Sequence, residues 1–91
     1  MTSHSDSARR VFKYQVQIGT NTLRMPPDGK IVHFDMQGPF LCVWVETTPG
    51  DHIGRCLHVI GTGWSIPEGG QHRGSVVTPE EFVWHLYEVV P

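Results

Sequence analysis

Cysteine and histidine are the residues of this sequence whose side chains could bind a metal or act as nucleophiles. The chain has two cysteines and six histidines. Cys56 and His58 are two residues apart, so a strand would place both side chains on one face. If residues 40–46 and 53–60 form a hairpin, one register places Cys42 opposite Cys56. The three side chains would then resemble part of a zinc site.

Two other interpretations of these cysteines stay open at this point. The same register would allow a disulfide, because directly opposed Cβ atoms in a sheet lie about 4.5–5.5 Å apart. We favour a third interpretation, a pair of small buried thiols, since free cysteine is among the most buried residue types. Structural zinc sites usually have four ligands, and no Cys-x-x-Cys pair is present. We therefore expect neither a cofactor nor a resident metal.

A glycine-rich segment over residues 61–71 is the second feature that could serve a function. It begins with Gly61-Thr62-Gly63-Trp64. No Lys-Ser/Thr pair follows the glycines, so the segment is not a phosphate-binding loop. Glycines directly after a strand are typical of a bulge or a tight bend. Trp64 either folds back onto the core, which we favour, or anchors a partner, since Trp is enriched at binding hot spots.

Composition and motifs argue against an enzyme and against a protein that binds duplex nucleic acid. The sequence has no Gly-x-Ser-x-Gly motif. Its net charge is −2, and its seven Lys and Arg residues are spread along the chain. A small barrel that stacks single-stranded nucleic acid on aromatic side chains is the alternative. Against it, the aromatic residues alternate with Lys13, Gln15 and Asp35 rather than with a basic set.

Alternation of apolar and polar residues predicts six to seven short β-strands. Residues 40–46 are apolar on both faces, which predicts a central strand. Strands at this spacing favour an all-β fold, either a small antiparallel sandwich or a partly open barrel. The predicted strands are 11–18, 22–25, 30–37, 40–46, 53–60, 72–78 and 82–90.

The last of these elements also carries a signal for a helix. Thr78-Pro79-Glu80-Glu81 has a capping residue, a proline in the first turn and glutamates placed for a capping box. The residues that follow, up to residue 90, are mostly aromatic or β-branched, which is typical of a strand. We favour the strand.

The chain is predicted to form one domain over residues 11–91, after a disordered polar tail over residues 1–10. The first residues lack the apolar core of a signal peptide, and no apolar run is long enough to cross a membrane. We therefore expect a protein of the reducing cytoplasm. An edge strand is expected at the weaker segment 22–25 or 72–78, and a second copy could pair with a sheet edge to form a homo-oligomer.

Five short pieces of the sequence occur in an order that resembles a known family. The pieces are Phe12-Lys13-Tyr14, Pro26-Pro27-Asp28-Gly29, Leu41-Cys42-Val43-Trp44, Gly61-Thr62-Gly63 and Trp84-His85. Together they resemble a family of small proteins encoded by phages and prophages, a domain of unknown function of the actinobacteriophage type.

The resemblance implies that residues 82–89 form a strand and that the protein is located in the cytoplasm of an infected or lysogenic bacterium. Small accessory phage proteins often bind another protein. By analogy, the resemblance implies a non-enzymatic interaction module with an unidentified phage or host partner. The candidate interaction residues are Trp64, Gly61, Thr62, Gly63, Trp84 and His85.

Overall fold

The computed structural model describes residues 8–90, and within that range the regular secondary structure is all β. None of these residues belongs to a helix that could cross a membrane. The all-β prediction is therefore confirmed. The strands are β1 Arg10–Val16, β2 Gly19–Met25, β3 Lys30–Gln37, β4 Phe40–Thr47, β5 Ile53–Gly61, β6 Gly70–Val77 and β7 Val83–Val89.

The seven strands form two antiparallel sheets rather than a closed barrel. One sheet has three strands in the order β1-β4-β3, and the other has four in the order β2-β5-β7-β6. Of the two predicted architectures, the structure is thus the sandwich. β4 is the central strand of its sheet, and β2 and β6 are edge strands, as the sequence predicted.

The core is formed by alternate side chains that the two sheets direct towards each other. Leu41, Val43 and Val45 of β4 belong to the same buried cluster as Leu57 of β5 and Leu86 of β7. This inward alternation is the reason that the sequence forms strands here. Burying one Leu or Val side chain contributes about 1.5–3 kcal/mol, so the shared cluster stabilises the face-to-face arrangement of the sheets.

The chain crosses from one sheet to the other between β1 and β2, between β2 and β3, and between β4 and β5. β1 ends at Val16, two residues earlier than predicted, and β2 begins in the other sheet at Gly19, three residues earlier than predicted. The side chain of Asn21 holds this crossing, because its Oδ1 accepts from the amide of Gln17 and its Nδ2 donates to the carbonyl of Gln17, each at 2.8 Å.

The hairpin between β4 and β5, on which a pairing of Cys42 with Cys56 depends, does not form, because these strands belong to different sheets. The loop that joins them is held by Asp28. Its carboxylate accepts hydrogen bonds from the hydroxyls of Thr48, at 2.6 Å, and Thr47, at 2.7 Å. These bonds, that of Thr48 first, lower the pKa of Asp28 to about 2.

The predicted tail over residues 1–10 falls mostly outside the described residues, which begin at residue 8. Where the two overlap, Arg10 is the first residue of β1 and pairs with Thr47. The first strand thus starts one residue earlier than predicted.

A carboxylate and two guanidinium groups lie between the sheets. Glu88 lies on the same side of β7 as the core residue Leu86 and is buried. Arg55 donates to it through Nε at 2.6 Å and through Nη2 at 2.9 Å, and Arg73 donates through Nε at 3.0 Å. Arg55 also donates to the carbonyl of Gly29 at 2.6 Å. This ion cluster thus links β5, β6 and β7 to the turn before β3.

A β-bulge in β6 supplies the second arginine. The register between β6 and β7 shifts between His72 and Gly74, so Arg73 is the extra residue. A bulge re-aims the side chain it carries, and Arg73 reaches the Glu88 carboxylate. Burial acts to raise the pKa of Glu88, but the hydrogen bonds from Arg55 and Arg73 outweigh it and hold that pKa below its usual value.

The Glu88→Gln variant tests the importance of this cluster. We expect its unfolding free energy at pH 7 to fall by roughly 3 kcal/mol, because two partly buried guanidinium groups lose their counter-charge. Since the pKa of Glu88 is lower in the folded state, its contribution is present above the unfolded value and is lost as the pH falls through the folded value. Urea unfolding between pH 7 and pH 2.5 should show that the unfolding free energies of the wild type and the variant become equal at low pH.

The matched control is Glu46→Gln, which removes a carboxylate paired with Arg9 at the surface. Exposed pairs contribute about 0–1 kcal/mol, so this variant should stay close to the wild type at every pH. Equal losses in both variants would show that the Glu88 cluster does not stabilise the fold.

Candidate functional site

The structure brings the predicted interaction residues together at one end of the four-stranded sheet. Gly61 at the end of β5 is paired with Trp84 near the start of β7. The amide of Trp64 donates to the carbonyl of Gly61 at 3.1 Å, which closes a tight turn. This turn places the ring centroids of Trp64 and Trp84 5.7 Å apart, with an angle of 78° between the ring planes. Edge-to-face contact at this distance is a favourable arrangement for aromatic rings.

Two glycines make this turn possible, each for a different reason. A Cβ atom at Gly61 would lie 3.0 Å from Cε2 and Nε1 of Trp64, so any larger residue would push the indole away. Gly63 has a φ of 89°, in the left-handed region that glycine adopts most easily. The pattern Gly61-Thr62-Gly63 therefore serves to lay Trp64 against Trp84. The preferred prediction for Trp64 is confirmed only in part, because the ring contacts Trp84 but is 52% exposed.

Phe82 and Glu81, which were not among the predicted interaction residues, belong to the same site. Phe82 is 62% exposed, and its ring lies 6.4 Å from the Trp84 ring. The side chains of Trp64, Phe82 and Trp84 border a recess of about 480 Å³. Glu81 is the charged residue in the lining of this recess. We call the side chains of Trp64, Phe82 and Trp84 the aromatic end.

A strained turn positions Phe82. Glu81 has a φ of 69°, a left-handed conformation that is uncommon for a residue other than glycine. Its neighbours hold it there, because the Thr78 amide donates to the Phe82 carbonyl and the Glu81 amide donates to the Thr78 carbonyl, both at 2.8 Å. The Thr78 hydroxyl also accepts from the Phe82 amide at 3.2 Å. The predicted capping residue thus closes a turn before β7 and not a helix.

A chain of polar side chains runs from this end across the outer face of the sheet. The hydroxyl of Thr62 lies 2.9 Å from Nε2 of His85, and Nδ1 of His85 lies 2.7 Å from the hydroxyl of Ser75. That hydroxyl lies 2.9 Å from Nε2 of His72. Both ring nitrogens of His85 therefore have a hydrogen-bonding partner. Through these contacts the turn that contains Thr62 is linked to β7 and β6.

The whole arrangement falls within a recognised domain. A family model described as a domain of unknown function (DUF7352) matches residues 7–91. This chain belongs to the DUF7352 family. No curated protein and no solved structure matches it.

The zinc ligands considered for this DUF7352 chain are not brought together. Cys42 is paired in register with Gln15 and Asp35 in the three-stranded sheet, whereas Cys56 is in the four-stranded sheet. Both cysteines are free. Among residues 8–90, no group of three or more His, Cys, Asp and Glu side chains is arranged to hold a metal. The three-residue site and the disulfide both needed a hairpin that this DUF7352 chain does not form.

The pair of Cys56 and His58 does form, as their spacing predicted. The Sγ atom of Cys56 lies 3.3 Å from Nε2 of His58. Cys42 is buried, as the favoured interpretation expected, but Cys56 is only half-buried. The two thiols therefore differ in both partner and exposure.

The Gly61→Ala variant of the DUF7352 domain tests the packing of the aromatic end. The added Cβ should displace the Trp64 indole from Trp84 and lower stability by about 1–3 kcal/mol, the usual cost of overpacking. Near-ultraviolet circular dichroism should show a weaker signal from the coupled indoles, with an unchanged far-ultraviolet spectrum.

The control for this experiment is Gly50→Ala, because a Cβ at Gly50 would meet no atom within 4 Å. That variant should keep the wild-type spectrum. A Gly61→Ala protein that also keeps it would show that the two indoles are not packed against Gly61.

Proposed function

We propose that this DUF7352 protein is a non-enzymatic, phage-type accessory protein that binds a protein partner through the aromatic end. The observation that carries the proposal is the exposure of Trp64 and Phe82 beside a recess that a strained turn and two glycines hold in shape. Exposed large aromatic side chains grouped around a recess are typical of binding hot spots. The phage setting, in the cytoplasm of an infected or lysogenic host, follows from the resemblance described above.

The charge of the recess favours a protein partner over nucleic acid. Its charged lining residue is the acidic Glu81. A groove for single-stranded nucleic acid combines stacking platforms with positive charge along the backbone, so a carboxylate here opposes phosphate binding. A protein segment that presents apolar side chains together with one basic side chain would complement both the rings and the carboxylate.

The test combines partner capture with a quantitative affinity. Tagged wild-type protein is used to capture proteins from an actinobacterial lysate, with and without nuclease, and the captured protein is purified for titration. Trp64→Ala should weaken its binding about 30-fold, which corresponds to about 2 kcal/mol for the loss of a hot-spot residue.

The matched control is Phe40→Ala, which removes an aromatic side chain of similar exposure, 51%, from the other sheet. It should leave the affinity unchanged. Capture that survives Trp64→Ala at full affinity would contradict the proposal, and capture that nuclease abolishes would favour the nucleic-acid alternative.

We also propose that two copies associate through a sheet edge, and we infer that the edge is β1. Within residues 8–90, β4 is the one strand paired with β1, and β1 carries the exposed side chains of Val11 and Phe12. The opposite side of the sandwich is covered, because Phe34 of β3 packs against Gly74 of β6. An open edge with exposed apolar side chains is a template for pairing with a second chain.

Sedimentation equilibrium tests this association. The wild type should show a dimer mass, and Val11→Lys should show a monomer, because a charge on an edge strand opposes pairing. Val77→Lys places the same charge on the exposed side of β6 and should stay dimeric. A dimer that dissociates only with Val77→Lys would move the interface to β6.

A further inference from the structure

The inner face of β1 is covered at one end of the strand and open at the other. Val16 is 3% exposed and belongs to the core, Tyr14 is half-buried, and Phe12 is 49% exposed. All three side chains point to the same side, because residues two apart on a strand share a face. The four-stranded sheet therefore leaves the first part of β1 uncovered.

The uncovered part of β1 is one wall of a recess of about 360 Å³, which we call the β1 recess. Its apolar lining residues are Phe12, Tyr14, Pro26 and Pro49. Arg10 also lines it and brings a positive charge. Asp28 is not a lining residue, and its carboxylate is paired with Arg9 at 3.3 Å. The β1 recess is thus apolar with a basic side chain at its border.

The aromatic end is the corresponding open part of the other sheet. Trp84 lies on the same side of β7 as the buried Leu86, so it belongs to the inner face. It is nevertheless only half-buried, and Phe82, directly before β7, is mostly exposed. Glu81 gives this open part a charge opposite to that of Arg10.

The course of β5 shows that the two open parts lie at opposite ends of the sandwich. His52, directly before β5, lines the β1 recess, and Gly61, the last residue of β5, lines the recess of the aromatic end. A strand rises about 3.3 Å per residue, so the nine residues of β5 separate the two recesses by roughly 30 Å. The two sheets are thus staggered, and each extends beyond the other at one end.

We propose that the protein partner of the aromatic end is a second copy of this chain, which contributes its β1 recess. This inference rests on the proposed function and names the partner. The β1 recess presents the apolar side chains and the basic side chain that complement the aromatic end. The open end of one sheet is then covered by the open end of the other sheet from the next copy, which continues the packing of inner face on inner face.

The contact joins two different surfaces, so it is head-to-tail and repeats from copy to copy. It is separate from the pairing of β1 edges, because Val11 lies on the other face of β1 and does not line the recess. Since each recess is small, the contact should be weak and should form at about 0.1–1 mM protein. It therefore adds nothing to the mass that sedimentation measures at micromolar protein.

The test uses two variants that each keep one half of the contact. Both carry Val11→Lys, which removes edge pairing. Isotope-labelled Trp64→Ala protein keeps the β1 recess, and unlabelled Phe12→Ala protein keeps the aromatic end. Neither nuclear magnetic resonance spectrum should change with the concentration of that variant alone. Titration of the unlabelled variant into the labelled one should shift the amide signals of Arg10, Tyr14 and residues 48–50.

Two controls accompany the titration. An unlabelled protein that carries both Trp64→Ala and Phe12→Ala should cause no shift, and dispersed amide signals should show that each variant is folded. Glu81→Gln in the unlabelled variant should weaken binding about 3-fold, the effect of one exposed ion pair. Glu80→Gln removes a neighbouring exposed carboxylate outside the recess and should leave the affinity unchanged. Equal affinities for these two variants would overturn the pairing of Glu81 with Arg10.

The outcomes separate this proposal from the proposed function. Absence of shifts, or equal shifts with the doubly substituted protein, would overturn the second copy as partner. If a different protein captured from the lysate still loses affinity with Trp64→Ala, the aromatic end is a binding site for that protein and the proposed function stands. If neither a second copy nor a captured protein depends on Trp64, both proposals fail.

Discussion

The carboxylate of Glu88 is buried between the two sheets, and guanidinium groups from two other strands donate hydrogen bonds to it. Arg55 of β5 and Arg73 of β6 donate to the carboxylate, and Arg55 continues to the carbonyl of Gly29 before β3. A buried ion cluster of this kind tolerates little displacement, because a charge without its partner is costly in a low-dielectric interior. Glu88 therefore fixes β5, β6 and β7 relative to one another and, through Arg55, links them to the turn before β3 of the other sheet.

The alternation of the sequence was sufficient to predict the strands but not their partners. Residues 40–46 identify β4 as a central strand because they are apolar on both faces, and this pattern depends only on neighbouring residues. The pairing of a strand depends on where its connection leads, and the loops at residues 17–18 and 48–52 lead from one sheet to the other. Nothing in their composition separates such a loop from a hairpin turn, so the sequence could not exclude a hairpin that would place Cys42 opposite Cys56.

The part of the candidate site that depends on glycines could be predicted from the sequence, whereas the part that depends on a β-bulge could not. Gly61 and Gly63 mark a bend after a strand, and the bend brings Trp64 to Trp84. The contact of Ser75 with His85, in contrast, depends on the extra residue in β6, which shifts the register after His72. The extra residue of the bulge is Arg73, and the sequence does not reveal it because an arginine is equally common at an exposed strand position. Phe82 was not predicted as an interaction residue because it was assigned to the strand predicted over residues 82–90, whereas β7 begins at Val83.

The order of the strands in the larger sheet has a consequence for the synthesis of the protein. β5 and β6 are both paired with β7, the last of the seven strands to leave the ribosome, and not with each other. Until residues 83–89 emerge, the inner faces of β5 and β6 have no strand between them, and Leu57 and Val76 are uncovered. Pairing of strands far apart in sequence is slow, and uncovered apolar strands are prone to aggregate. A nascent chain is therefore most prone to aggregation before residues 83–89 have emerged.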